Sequence, residues 1–227
     1  MKLVTVAGPP SSGKTSVILH TIRELKKAGI SVGVIKFDCI SSGDEDTYQA
    51  AGVPIHIGLA GNLCPDHYFV SNIEECVSWG LKENLDLLIT ESAGLCNRCS
   101  PHIRGILGIC VIDTLSGINT PKKIGPMLRL SDMIVITKGD IVSQAEREVF
   151  AFRVGRANPS AKVIKINGLT GQGVLPLADE MKNTPDTITV NDCSLRFAMP
   201  AALCSYCLGE IRIGRDYQMG NVKRMEF

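Results

Sequence analysis

The chain has 227 residues, a formal net charge of +1 and nine cysteines, enough length to close one full core with a small addition. The near-neutral balance argues against nucleic acid or an acidic membrane surface as partner, and no run approaches the roughly 20 apolar residues that span a bilayer. The short apolar start lacks the form of a secretory leader, so the expected location is the cytoplasm, where thiols stay reduced and close cysteine pairs point to metal or redox chemistry.

Leu3-Val4-Thr5-Val6-Ala7 reads as the first strand and helical periodicity runs from Thr15 to Lys27, with Val17, Ile18, Ile22 and Leu25 on one face and Gly29 as its cap. A second strand is predicted over 31–37, followed by a polar stretch at 43–46, a short helix and a strand over 53–57. A helix over 72–84 leads to a buried strand over 86–90. Further strands are predicted at 108–112, 133–137 and 162–166, with helices at 143–156 and 173–182. Strands alternating with helices imply a three-layer α/β fold with a mostly parallel sheet covered on both faces. From Asn183 onward the pattern changes, with Pro185, Pro200 and a short Ile211-Arg212-Ile213 strand signal. The expected division is therefore a main domain at 1–183 and a small element at 184–227.

Between the first strand and first helix stands Gly8-Pro9-Pro10-Ser11-Ser12-Gly13-Lys14-Thr15, the phosphate loop G-x-x-x-x-G-K-[ST] in its strand–loop–helix setting. Its amides face phosphate oxygens at a helix start. Pro9 and Pro10 have no N–H, so donation falls mainly to Ser11 through Ser16. Lys14 is expected on the outer phosphates and Thr15 on magnesium.

Thr137-Lys138-Gly139-Asp140 ends a later strand. An Asn/Thr-Lys-x-Asp sequence at that place reads guanine in GTPases, because the carboxylate accepts from the ring N–H and the exocyclic amine; adenine would leave it unpaired. The alternative for Asp140 is a helix N-cap. Asn167-Gly168-Leu169-Thr170-Gly171-Gln172-Gly173 has the form of the loop that completes such a base pocket. Glu91-Ser92-Ala93-Gly94 closes the strand begun at Asp86, with Glu91 set to organise magnesium and the attacking water, and Gly94 to meet the terminal phosphate. Asp38, at the tip of the second strand, is a further magnesium candidate or a simple cap.

These motifs together resemble the metallocentre-assembly GTPases, the family of the hydrogenase nickel-incorporation and urease accessory proteins, over residues 1 to about 182. The resemblance implies a P-loop fold, a nucleotide-bridged homodimer, and slow GTP hydrolysis with magnesium, coupled to loading metal into a client enzyme, with accessory proteins as partners. Most GTPases open the 91–94 motif with Asp, where this chain has Glu91. Residues 1–60 also resemble a molybdopterin-guanine-dinucleotide adaptor, at Val34-Ile35-Lys36 and Asp46-Thr47-Tyr48.

Cys64-Pro65-Asp66-His67 resembles the family's Cys-Pro-His metal motif with one residue inserted, which makes Cys64 and His67 ligand candidates. Cys96-Asn97-Arg98-Cys99 follows Gly94 directly, with His102 beyond it, and Cys204-Ser205-Tyr206-Cys207 lies in the C-terminal element. Each C-x-x-C pair brings soft thiolates onto one ion, suited to zinc, copper(I) or an iron–sulfur cluster, and the resemblance adds nickel. A complete four-ligand site needs more than one pair, joined to the other pair, to Cys64 or across a dimer axis. Cys39, Cys76 and Cys110 read as core residues, and His20 and His56 as ordinary helix and strand positions. The reading is a cytoplasmic GTPase of the metallochaperone type. A nucleotide-gated iron–sulfur protein, a small-molecule kinase and a binding-only adaptor are its rivals.

Overall fold

The computed structural model describes residues 1–198 and 208–227. Seven strands form one sheet: β1 (Lys2–Ala7), β2 (Val32–Asp38), β3 (Ile55–Leu59), β4 (Leu87–Glu91), β5 (Leu107–Asp113), β6 (Met133–Thr137) and β7 (Lys162–Lys165). Their order is β3-β2-β4-β1-β5-β6-β7, and every pairing is parallel. The α/β fold expected from the alternation is present, with a sheet that is wholly rather than mostly parallel. β1 is central, and the order reverses around it, so the carboxyl ends of β1, β4 and β5 open the crevice where ligands of such sheets bind.

Among the described residues, seven α-helices accompany the sheet: α1 (Lys14–Lys27), α2 (Glu45–Ala50), α3 (Pro65–Lys82), α4 (Thr120–Lys123), α5 (Pro126–Arg129), α6 (Gln144–Ala157) and α7 (Leu175–Asn183). The alternation along each strand decides which face each side chain serves. Val4 and Val6 of β1 and Val32 and Val34 of β2 pack under α1 and α7 with Ile18, Ile22, Leu177 and Met181. Leu3, Ile35, Phe37 and Leu88 point the other way, to α3, with Phe69, Ile73 and Trp79. On that same side Ala7, Cys110, Ile112 and Ile134 meet Met127, Leu128, Phe150 and Val154.

Most boundaries shift by one or two residues, and two departures bear on the site. β3 begins two residues later than predicted, at Ile55, and runs to Leu59. α3 begins at Pro65, seven residues before the predicted start. Its first turn carries start signals rather than apolar periodicity: Cys64 caps it with extended backbone, Pro65 sits at the first position and Asp66 lies in the first turn. The short helices α4 and α5, each opened by Gly or Asn followed within two residues by Pro, were not anticipated. Beyond Asn183, Val190, Leu195, Ile213 and Met225 are buried in the same cluster as Leu3 and Ile35.

Candidate nucleotide and metal site

The phosphate side is built on the carboxyl ends of β1, β2 and β4. Pro10, Ser11, Gly13, Lys14, Thr15, Ser16, Lys36, Asp38, Asp44, Glu91, Ser92 and Lys138 line a cavity of about 510 Å³. Gly13 caps α1 at φ 91°, a left-handed conformation that glycine adopts freely. Gly94 has φ +70°, and a Cβ there would lie 1.6 Å from the Gly8 carbonyl oxygen. The two loops touch backbone to backbone, which only glycine permits. Lys14 donates to the carbonyls of Gly8 and Pro9, both at 2.9 Å. Burial lowers its pKa, with Glu91 opposing. The hydroxyls of Ser12 and Ser92 are buried without a protein partner. A cavity holding orphaned donors, an ammonium and a helix N-terminus fits a polyphosphate.

The acidic wall faces Thr15. Glu91, only 1% exposed, accepts from the Thr15 hydroxyl at 2.9 Å, the Lys36 ammonium at 3.2 Å and the Tyr48 hydroxyl at 2.8 Å. Asp44 precedes α2 without capping it; its carboxylate takes Thr15 at 3.2 Å and the Lys36 ammonium instead. Burial pulls the Lys36 ammonium down, but Glu91 and Asp44 more than offset this and hold it above its ordinary range. Asp38 lines the same cavity and accepts from the Cys39 amide at 2.8 Å. Thr15, Glu91, Asp44 and Asp38 are hard oxygen donors of the kind magnesium takes, so the donor set fits that ion.

The base side lies beyond β6. Thr137 donates to the Ser12 carbonyl at 2.6 Å and Lys138 to the Ser11 carbonyl at 2.6 Å, tying the base-reading sequence to the phosphate loop. Lys138 adopts φ 55°, unusual for a non-glycine residue and frequent at functional loops. Gly139, Asp140, Thr114, Asn167, Gln172 and Arg147 line an adjoining cavity of about 300 Å³. Asn167 shapes its loop by accepting from the amides of Leu169 and Thr170. Asp140 is exposed at the mouth and does not cap α6, whose cap is Ser143 in a capping box with Glu146.

The sulfur site sits on the α3 side. Cys64 caps α3, His67 lies in its first turn, and Cys99 comes from the loop after β4. Their ligand atoms all lie within 4.8 Å of one another. Cys64 is drawn below the usual thiol range, first by a hydrogen bond from Cys99 and then by the His67 and Asp66 amides and the His67 charge. Cys99 is correspondingly raised, first by its bond to Cys64 and then by burial. The shared hydrogen bond favours the thiolate on Cys64 over that on Cys99. Asp66 is buried beside them, one carboxylate oxygen without a partner. Burial, then Cys64, push it up to about 7, while Lys14 pulls it down.

Of the predicted ligands, Cys64, His67 and Cys99 come together. Cys96 is half-buried and stands outside that group, its sulfur accepting from the Arg98 amide at 3.4 Å. Cys204 and Cys207 lie outside the described residues. His102 is fully buried and uses both ring nitrogens, toward Thr5 at 2.9 Å and the Met127 carbonyl at 3.1 Å, which removes it from the sulfur site. Burial lowers its pKa to about 4. Cys76 and Cys110 are buried core residues as expected. Cys39 is not: it is half-buried at the end of β2, because the strand stops at Asp38 where the apolar run ends. His20 on α1 meets the Gly168 carbonyl, and His56 on β3 packs edge-on against Trp79.

Sequence reasoning gave no site role to Lys36, Asp44, Tyr48, Asp66 or Arg147. A signal existed for Lys36: it interrupts the apolar run Val32–Phe37, and a lysine inside a buried strand requires a partner.

A family model for the CobW/HypB/UreG nucleotide-binding domain matches residues 2–165. An uncharacterized protein of Methanocaldococcus jannaschii is 46% identical over 226 residues, covering 100% of this chain and 97% of its own. The urease accessory protein UreG of Haloquadratum walsbyi is 28% identical over 197 residues, 78% of this chain and 92% of its own. Among solved structures, HypB from Helicobacter pylori in complex with nickel aligns at a TM-score of 0.65 and 19% identity, covering 82% of this chain and 90% of that one. This last likeness concerns the fold.

Proposed function

The chain belongs to the CobW/HypB/UreG nucleotide-binding family, and we propose that it is a GTP-dependent metallochaperone, binding a soft transition metal at Cys64, His67 and Cys99 and releasing it in step with slow GTP hydrolysis. The observation that carries the reading is connectivity. Glu91 ends β4 in the phosphate cavity, Gly94 rests on the Gly8 carbonyl oxygen, and Cys99 in the same loop reaches the metal trio. A loop fixed at both ends transmits displacement.

In the nucleotide site Lys14 and the loop amides bind and orient the phosphates, and the Ser12 and Ser92 hydroxyls supply donors. Thr15, Glu91, Asp44 and Asp38 would hold magnesium, which supplies charge neutralisation at the terminal phosphates. Glu91 also accepts from Tyr48, which fixes the carboxylate's orientation. Asp140 selects guanine, with Lys138 and Thr137 bracing its loop against the phosphate loop. Two thiols and an imidazole suit nickel or zinc, and three protein ligands leave a position for hand-over to a client enzyme or accessory protein in the cytoplasm, or for a ligand from a second copy in a homodimer.

The test is to titrate nickel and zinc into the protein with GDP and with a non-hydrolysable GTP analogue. A metal affinity that differs between the two states by about 5-fold or more supports the coupling. Equal affinities, with Cys64, His67 and Cys99 intact, would reduce the trio to a structural feature.

A further inference from the structure

Lys36 stands in register with Glu91 across β2 and β4, on the sheet face that looks toward α1. Four residues from the start of β2, it lines the phosphate cavity together with Asp38 at the strand's end, and it is 7% exposed. Its ammonium touches Asp44, Glu91 at 3.2 Å and the Thr15 hydroxyl at 3.5 Å. Those are the oxygens set out for magnesium. A divalent ion bound there would meet a like charge at close range inside a partly dry cavity, where repulsion is strong. The ion carries twice the charge on a smaller radius, so the ammonium is the group that yields.

Its destination follows from what surrounds it. The backbone of Lys36 is fixed in the sheet, and its four-carbon stem can only swing within the cavity. Lys138 already holds the Ser11 carbonyl, and a neutral carbonyl of the loop is a weaker partner for an ammonium than a charged phosphate oxygen. The anion newly introduced by a nucleotide is its terminal phosphate, beside the acidic wall that Lys36 leaves. We propose that Lys36 is an exchangeable cation of the nucleotide site, holding Asp44 and Glu91 together before nucleotide binds and moving to the terminal phosphate when magnesium takes those oxygens. A diphosphate gives the displaced ammonium no such target, so Lys36 distinguishes GTP from GDP. Its departure also frees Asp44, the residue that opens α2, so the loop between β2 and α2 changes partner with the nucleotide.

The inference rests on the nucleotide-binding reading above. Its test measures affinity of a fluorescent GDP and a fluorescent non-hydrolysable GTP analogue across a magnesium titration, for the native chain and for Lys36→Met. The native chain is expected to prefer the triphosphate. Lys36→Met should lose about tenfold of that preference and reach half-maximal tight binding at lower magnesium, because the competing ammonium is gone. Lys36→Arg should keep most of the preference. Lys36→Gln retains a donor to Glu91 and replaces the methionine variant if that one is unstable. A neutral variant that binds GDP normally and keeps both the native preference and the native magnesium midpoint overturns the inference alone. A native chain that binds neither nucleotide overturns it together with the functional reading.

Discussion

Replacing Asp66 by asparagine separates two costs that the sulfur site carries. Asp66 is 2% exposed with one carboxylate oxygen unpartnered, and burial followed by the Cys64 charge lifts its carboxyl from the ordinary range to about 7. A raised folded-state value means that the folded chain binds a proton which the unfolded chain has already lost. Stability therefore falls as pH rises from about 4 to about 7 and is flat beyond. At about 1.4 kcal/mol per pH unit, the ceiling of that loss is about 4 kcal/mol. The asparagine side chain carries no charge, so Asp66→Asn should gain up to that amount at pH 8 and nothing at pH 4. Urea denaturation in chelator at pH 4.5, 6 and 8 measures it. His102 works against Asp66 in the same window: its lowered value makes stability fall as pH drops from about 6.5 toward 4. The native curve is therefore blunted, and the difference between variant and native isolates Asp66. A difference independent of pH, or a variant less stable than native at pH 8, would refute the assignment of an unpaired buried charge.

Asp140→Ala should remove most of the preference for GTP over ATP in calorimetry while leaving phosphate binding; equal affinity of the native protein for both nucleotides would contradict the guanine assignment. The isolated protein should hydrolyse GTP on the order of 10⁻³ s⁻¹ or somewhat faster, and Lys14→Ala should abolish both binding and turnover in a phosphate-release assay. Turnover of tens per second without a partner would rule out an unassisted mechanism. Gly94→Ala, whose Cβ would fall 1.6 Å from the Gly8 carbonyl oxygen, should weaken nucleotide and metal binding together in paired titrations. Loss of one with full retention of the other would break the link between the two sites.

The fold was legible because an all-parallel sheet writes continuous apolar runs into the chain, and Met133–Thr137 is one read without error. The phosphate loop and the guanine sequence were legible for another reason: their residues are contiguous, so the chemistry is spelled out along the backbone. What escaped was chemistry assembled across strands. Lys36 comes from β2, Asp44 and Tyr48 from α2 and its cap, and Glu91 from β4, and they meet only in the fold. The start of α3 was missed because its first turn is written in capping residues, Cys64, Pro65 and Asp66, and periodicity begins only afterward. The one-residue insertion between Cys64 and His67 looked like a departure from the metal motif; on a helix it places His67 three residues beyond the cap, on the same face as Cys64. The pair Cys96 and Cys99 looked like a unit by spacing, and their thiols do share a hydrogen bond, but it is Cys99 that joins Cys64 and His67 within 4.8 Å. A C-x-x-C spacing brings two thiols together without fixing which of them meets the third ligand.

The loop's contacts bear on the proposed coupling between the sulfur site and the nucleotide site. Both ends of the segment from Glu91 to Cys99 are fixed, the first by bonds to Thr15, Lys36 and Tyr48, the second by burial of Cys99 in the α3 core. Between them Gly94 leans on the phosphate loop. A change in the partners of Glu91 is thereby placed one short loop away from Cys99. Electrostatics runs parallel to this mechanical link. Lys14 lowers the Asp66 carboxyl and the Cys64 thiolate raises it, so charge brought to either site is felt at the other through one buried group. Phosphates that neutralise Lys14 make Asp66 harder to ionise, and a cation that neutralises Cys64 makes it easier. Linkage requires each effect to be returned: ionised Asp66 disfavours nucleotide and favours metal, so the two ligands oppose one another through this residue. The expected sign is therefore antagonism through Asp66, which titrations of nickel and zinc with GDP and with the triphosphate analogue would read as weaker metal binding in the second; equal or tighter binding there would refute it.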